Sequence, residues 1–351
     1  MKNFLKKYWP DTLFMLIAVC LCGLFFVPMI SIVTKNSEGI KNYLNFSFFN
    51  VVFGGTNGSI KLNMNYLYLA VFALLLISFV FDLIAFIKAI KSKEVKNYLY
   101  YVSAVIKIID LFAFALVSTL LPLTSKEINN IQEFNKVDYV GWLYALFTFL
   151  YAFLVLITLS KIFEKKKFTI YEISEIAIFC ALALVLDKVK IPVGITGGSI
   201  NASALPLMII ALRHGFLKGL ISSSVVFGLI SCLLDGYGFQ TYPFDYLIAF
   251  SGYATVGLYM YLFKKYVIKD RENIEFASIV VSILLGGLSS FITRMLGSSL
   301  SSVIFYSYSL KDALIYNLSY IPLSVFGSTL IALLLARPLQ IINHRFPVHV
   351  K

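Results

Sequence analysis

Asp245 stands at the head of an apolar run, in "YPFDYLIAF" (residues 242–250), beside Tyr246 and close to Tyr237 and Tyr242. A carboxylate set among aromatic faces is suited to a flat cationic ligand, through charge pairing, stacking and cation–π attraction. Further along, "SVIFYSYSLKD" and "YNLSY" supply Tyr306, Tyr316 and Asn317. Each residue type also has a plainer use. Asp245 would serve as a helix N-cap by accepting from orphan backbone N–H groups, and tyrosines gather as a belt at membrane surfaces.

Other reactive chemistry is scarce. The chain has no G-x-x-x-x-G-K-[ST] and no H-E-x-x-H, so neither P-loop hydrolysis nor zinc proteolysis is expected. His214, His344 and His349 lie apart, and Cys20, Cys22, Cys180 and Cys232 sit in apolar runs without metal-ligand spacing. The cysteines are expected as small buried apolar side chains. No catalytic residue, metal or cofactor is expected, which leaves binding or transport as the class. Two features fall inside apolar runs. Lys107 and Asp110, three residues apart, form either a functional intramembrane pair or a mutually neutralising one. Arg294, late in its run, is expected to snorkel toward lipid headgroups.

The elements that must position these residues are membrane helices. Hydrophobic residues make up 59% of the 351 and charged residues 14%, against about 25% charged in a soluble domain. Apolar windows of membrane-spanning length fall near 11–33, 65–90, 99–121 and 139–162, then 172–189, 203–213, 217–234, 245–263, 276–300 and 315–336. The expected fold is an all-α polytopic membrane protein of about ten transmembrane helices. The basic start followed by a long apolar run, with no small-residue cleavage site, reads as a first span rather than a signal peptide. With the N-terminus inside, most of the 30 Lys and Arg residues fall in inner segments, so both termini are expected to be cytoplasmic. The net charge of +12 is then a topology signal and implies no nucleic acid. "KIFEKKKFTIYEISE" divides the chain into a four-helix module of unassigned role (1–168) and a six-helix module (169–351). In the second module, Gly-, Pro- and aromatic-rich loops, including a lid candidate at 192–203, gather on the outer side.

Three runs of the second module, "GGSINASALPLMIIALRHGFLKGL", "YPFDYLIAF" and "YNLSY", carry a likeness over about residues 170–340. They resemble the thiamine-specific substrate-binding (S) component of energy-coupling factor (ECF) transporters, the ThiT family. The resemblance implies a six-helix bundle in a bacterial cell membrane that binds thiamine, or a related small cationic vitamin, near its outer surface. It implies as partners a transmembrane scaffold subunit and two ATPase subunits. Asp245 and Tyr246 match the acidic–aromatic pair that contacts the ligand, and Asn317 matches a ligand-binding Asn. Tyr306 falls where a stacking aromatic, often Trp, is usual, and Ser298 where a His is common. Tyr242 and Tyr316 complete the expected cup. Ala177 and Ala181 form a small-x-x-x-small pattern that admits a close helix, and in the family such alanines dock the scaffold. The alternatives are an S component for another vitamin or a thiamine precursor, and an ion-coupled secondary transporter. Few acids lie within the last six spans to serve the latter.

Overall fold

A computed structural model describes residues 2–35, 41–58, 60–90, 97–119, 121, 125, 134–162, 168–193, 198–268, 275–306 and 308–346. The chain forms two compact units, Met1–Glu164 and Lys165–Lys351. Helices occur at every expected span. Among the described residues six, such as Tyr66–Lys88 and Glu275–Tyr306, are long and apolar enough to cross a membrane. The protein is a multi-pass all-α membrane protein.

In the first unit the helices Lys2–Leu24, Tyr66–Ile90, Asn97–Thr119 and Gly141–Ile162 pack together. The first span, expected over 11–33, stops short: the helix ends at Leu24 and Pro28–Lys35 is a β-strand. The reason is local. Pro28 lacks a backbone donor, and the β-branched run Ile30, Ile32, Val33 and Thr34 fits a pleated surface better than a helix. This strand is central in an antiparallel sheet between Lys41–Ser47 and Phe134–Tyr139, and Ile30, Ile32 and Val33 are fully buried. Cys20 and Cys22 are exposed rather than buried, whereas Cys180 and Cys232 are buried, as expected.

Lys107 and Asp110 do not neutralise each other. Lys107 Nζ reaches across to Asp82 Oδ2 of the neighbouring helix (2.6 Å). It also donates to Ser103 Oγ and Thr158 Oγ1 (2.9 Å each) and lies over the Phe14 ring. The long Lys stem spans the helix–helix gap, which the short Asp110 on the same helix cannot do. Asp110 instead accepts from the Tyr151 hydroxyl (2.6 Å).

The second unit is built inside out relative to a soluble bundle. Ser222, Ser223, Ser282, Ser290 and Ser301 are fully buried, while Leu233, Leu284, Leu288 and Leu330 are exposed. Small hydroxyl residues let helices approach and bond across, and leucine faces the lipid at no cost. Gly252 shows how close the approach is: a Cβ there would come within 2.5 Å of Ser290 Cα on the Glu275–Tyr306 helix. The short helix Ala204–His214 is buried almost all round, as an apolar helix without a polar face must be. At one end of the bundle ions tie this helix to its neighbours. Glu175 takes Arg213, which also donates to Asn343 (2.8 Å), and Glu172 takes Lys218 (2.5 Å). Helix Ile170–Lys188 starts at this end with Thr169 as N-cap in a capping box with Glu172. Successive helices run up and down from there, which brings the carboxyl end of Ile170–Lys188 and the segments around residues 235–246 and 298–317 to the opposite end.

Candidate ligand-binding site

At that opposite end lies a cavity of about 130 Å³. Asp245, Tyr246, Ser298, Tyr306, Tyr316 and Asn317 all line it, and so does Tyr237. Asp245 is not an N-cap: the helix is entered through a 3₁₀ turn at Phe239–Thr241, and Thr241 occupies the cap position of the next turn. Its carboxylate instead accepts from Ser301 Oγ of the facing helix (2.5 Å). The segment Tyr242–Ile248 that carries it is a π-helical turn, a geometry that recurs at functional sites because the extra residue re-aims side chains.

Tyr242 departs from expectation. It does not line the cavity; it is buried, donates to Ser224 O (2.9 Å) and stacks between Phe239 (5.4 Å) and Tyr246 (6.5 Å). Asn317 is committed as well. Its amide donates to Ser299 Oγ and Ala313 O, and its carbonyl accepts from Tyr320 Oη (2.8 Å). An amide oxygen has two lone pairs, so Asn317 retains one acceptor site. The Tyr316 hydroxyl accepts from Gly198 N (2.5 Å), and its ring stacks on Tyr308. This contact fastens the Ile191–Ile200 hairpin beside the cavity; residues 194–197 of the lid candidate lie outside the described residues. A Cβ at Gly198 would come within 2.6 Å of the Tyr316 oxygen and 2.7 Å of the Tyr320 ring, so a larger residue here makes those side chains shift.

Four charged lining groups, Asp187, Lys190, Asp235 and Arg294, were not singled out from the sequence as ligand contacts. Asp235 accepts from the Tyr246 hydroxyl (3.0 Å) and from Lys188 (2.9 Å). Asp187 accepts from Asn201 Nδ2 (3.0 Å). Arg294 does not snorkel: it is buried inside the bundle, donates to Tyr253 Oη (3.3 Å) and lies over the Phe250 ring. An ionisable group inside a span was the signal for Arg294, and acids at the ends of adjacent spans on one predicted side were the signal for Asp187 and Asp235. The site thus joins three carboxylates, the Arg294 guanidinium and the Lys190 ammonium to tyrosine faces. Burial, and after it the neighbouring Asp235 carboxylate, push the Tyr237 hydroxyl above its ordinary range. Among the described residues no group of His, Cys, Asp and Glu is placed to hold a metal ion.

Ala177 and Ala181 lie elsewhere, exposed on the outer face of Ile170–Lys188 together with Ile178 and Val185.

A helical membrane bundle with a polar, aromatic-walled cavity at one end defines a small-molecule binding protein of the membrane. Residues 173–347 match the family model described as thiamine transporter protein (Thia_YuaJ), and through this half the chain belongs to that family. No curated protein matches the chain. The solved structure of ThiT from Listeria monocytogenes is similar at 20% identity, covering 48% of this chain and 94% of that one, with a TM-score of 0.38. Residues 1–172 lie outside the family match.

Proposed function

We propose that the second unit captures thiamine in the 130 Å³ cavity and delivers it to partner subunits for ATP-driven uptake. The observation that carries this reading is the placement of Asp245, among tyrosines, in a cavity built wholly from the family-matched half. Asp245 offers charge to the cationic ring, while Tyr306 and Tyr316 offer faces for stacking. The cavity end faces outward from a bacterial cell membrane, and both chain termini are cytoplasmic, consistent with the basic residues at the opposite end. Ala177 and Ala181 form the docking face for an ECF-type transmembrane scaffold that works with two ATPases. Their small exposed side chains support a close helix crossing.

Calorimetric titration of the purified protein, without partners, against thiamine and a panel of other vitamins tests the reading. Saturable binding of thiamine above the rest is expected. Binding of another vitamin alone would reassign the substrate, and binding of none would remove the capture role.

A further inference from the structure

The buried ionic cluster of the first unit has a component that its own structure leaves incomplete. Two carboxylates, Asp82 and Asp110, lie buried in this unit, and among the described residues the ammonium of Lys107 pairs with Asp82 alone. The ammonium is already bound to Asp82 at 2.6 Å, and Ser103 donates to the other Asp82 oxygen at 2.6 Å. Asp110 is 1% exposed. Its Oδ2 takes the Tyr151 hydroxyl, but its Oδ1 meets no hydrogen-bond partner among the described residues. Asp110 lines a cavity of about 10 Å³ whose walls include Phe25, Phe72, Phe114 and Phe147. That is room for about one water, and far too few oxygens for a metal cation.

A buried carboxylate with one hydroxyl donor and no cation beside it is costly to keep charged, and binding a proton removes that cost. We propose that Asp110 is a proton-binding site: at neutral pH its carboxyl carries an exchangeable proton on Oδ1, facing the aromatic-walled cavity. Loading forms an O–H bond at Oδ1 with a proton from a hydronium ion, which departs as water; unloading reverses the step. The groups around it fit that assignment. Tyr68 and Asp82 come from the Tyr66–Ile90 helix, Tyr144 and Tyr151 from Gly141–Ile162, and Lys107 from its own helix. Among the described residues the only cation of these is Lys107, and its charge is engaged by Asp82. Phe25, following the first helix, contributes only its ring.

Infrared absorption of the full-length protein in lipid nanodiscs tests this directly. At neutral pH the wild type should show a protonated-carboxyl C=O band that shifts in heavy water. The band should vanish in Asp110→Asn and persist in Asp245→Asn. Tyr151→Phe, which removes the donor to Oδ2, should shift the band, an effect that a purely structural role would not produce. If Asp110→Asn does not fold, Asp110→Glu decides, because it must move the band. A wild type without the band, a band kept in Asp110→Asn, or one unmoved in Asp110→Glu overturns the proposal.

Discussion

At the residue scale, Asp245 carries the sharpest expectation. Asp245→Asn keeps an acceptor for Ser301 and removes the charge. Losing one member of a buried charged contact costs about 2–5 kcal/mol, so affinity for thiamine should fall roughly 30-fold or more, with the melting temperature little changed. Dissociation constants and melting curves from one preparation check this; an unaltered affinity would retire the site. Tyr246 and Asp235 share a hydrogen bond, and a double-mutant cycle of Tyr246→Phe and Asp235→Asn on affinity should show coupling of about 0.5–3 kcal/mol. Additive losses would mean that Asp235 does not position Tyr246. Much of this constellation was legible because loop composition and topology put Asp245, Tyr306, Tyr316 and Asn317 on one side. Arg294 and Tyr242 were not legible. Whether a residue within a span points into the bundle depends on helix rotation, which a uniformly apolar sequence does not encode.

At the scale of elements, the Tyr66–Ile90 and Asn97–Thr119 helices are joined by the Asp82–Lys107 pair. Asp82→Ala leaves a buried ammonium without its partner and should destabilise the protein by about 3–5 kcal/mol. Adding Lys107→Met should recover most of that, as measured by unfolding in detergent; no recovery would show that the pair is not what holds those helices. The Ile191–Ile200 hairpin poses a different test. Gly198→Ala drives a methyl into the Tyr316 hydroxyl and should weaken ligand binding about tenfold, the cost of overpacking being about 1–3 kcal/mol. Wild-type affinity in that variant would separate the hairpin from the cavity's function. Helix existence was readable from apolar length alone. The early end of the first helix turned on Pro28 and a β-branched run, which in an apolar window count as spanning residues until a sheet partner is known.

At the scale of the molecule, composition settles the membrane class, but no periodicity shows which helices meet. Ala177 and Ala181 are exposed on the surface of their unit. Ala177→Trp or Ala181→Trp should abolish uptake by the assembled transporter and leave thiamine affinity of the isolated protein intact. A parallel loss of affinity would place the alanines in the fold itself. A single cysteine introduced near residue 168 should resist membrane-impermeant labels applied from outside, and labelling there would invert the proposed orientation.

The π-helical turn at Tyr242–Ile248 makes the binding end sensitive to length as well as to chemistry. Its hydrogen bonds span one residue more than those of an α-helix, so it holds a residue that a regular helix would not. Removing one residue upstream of Asp245 would let the segment relax into α-helix and swing Asp245 and Tyr246 by about 100° around the axis. Every side-chain type in the site would survive that deletion, and only their bearing would be lost.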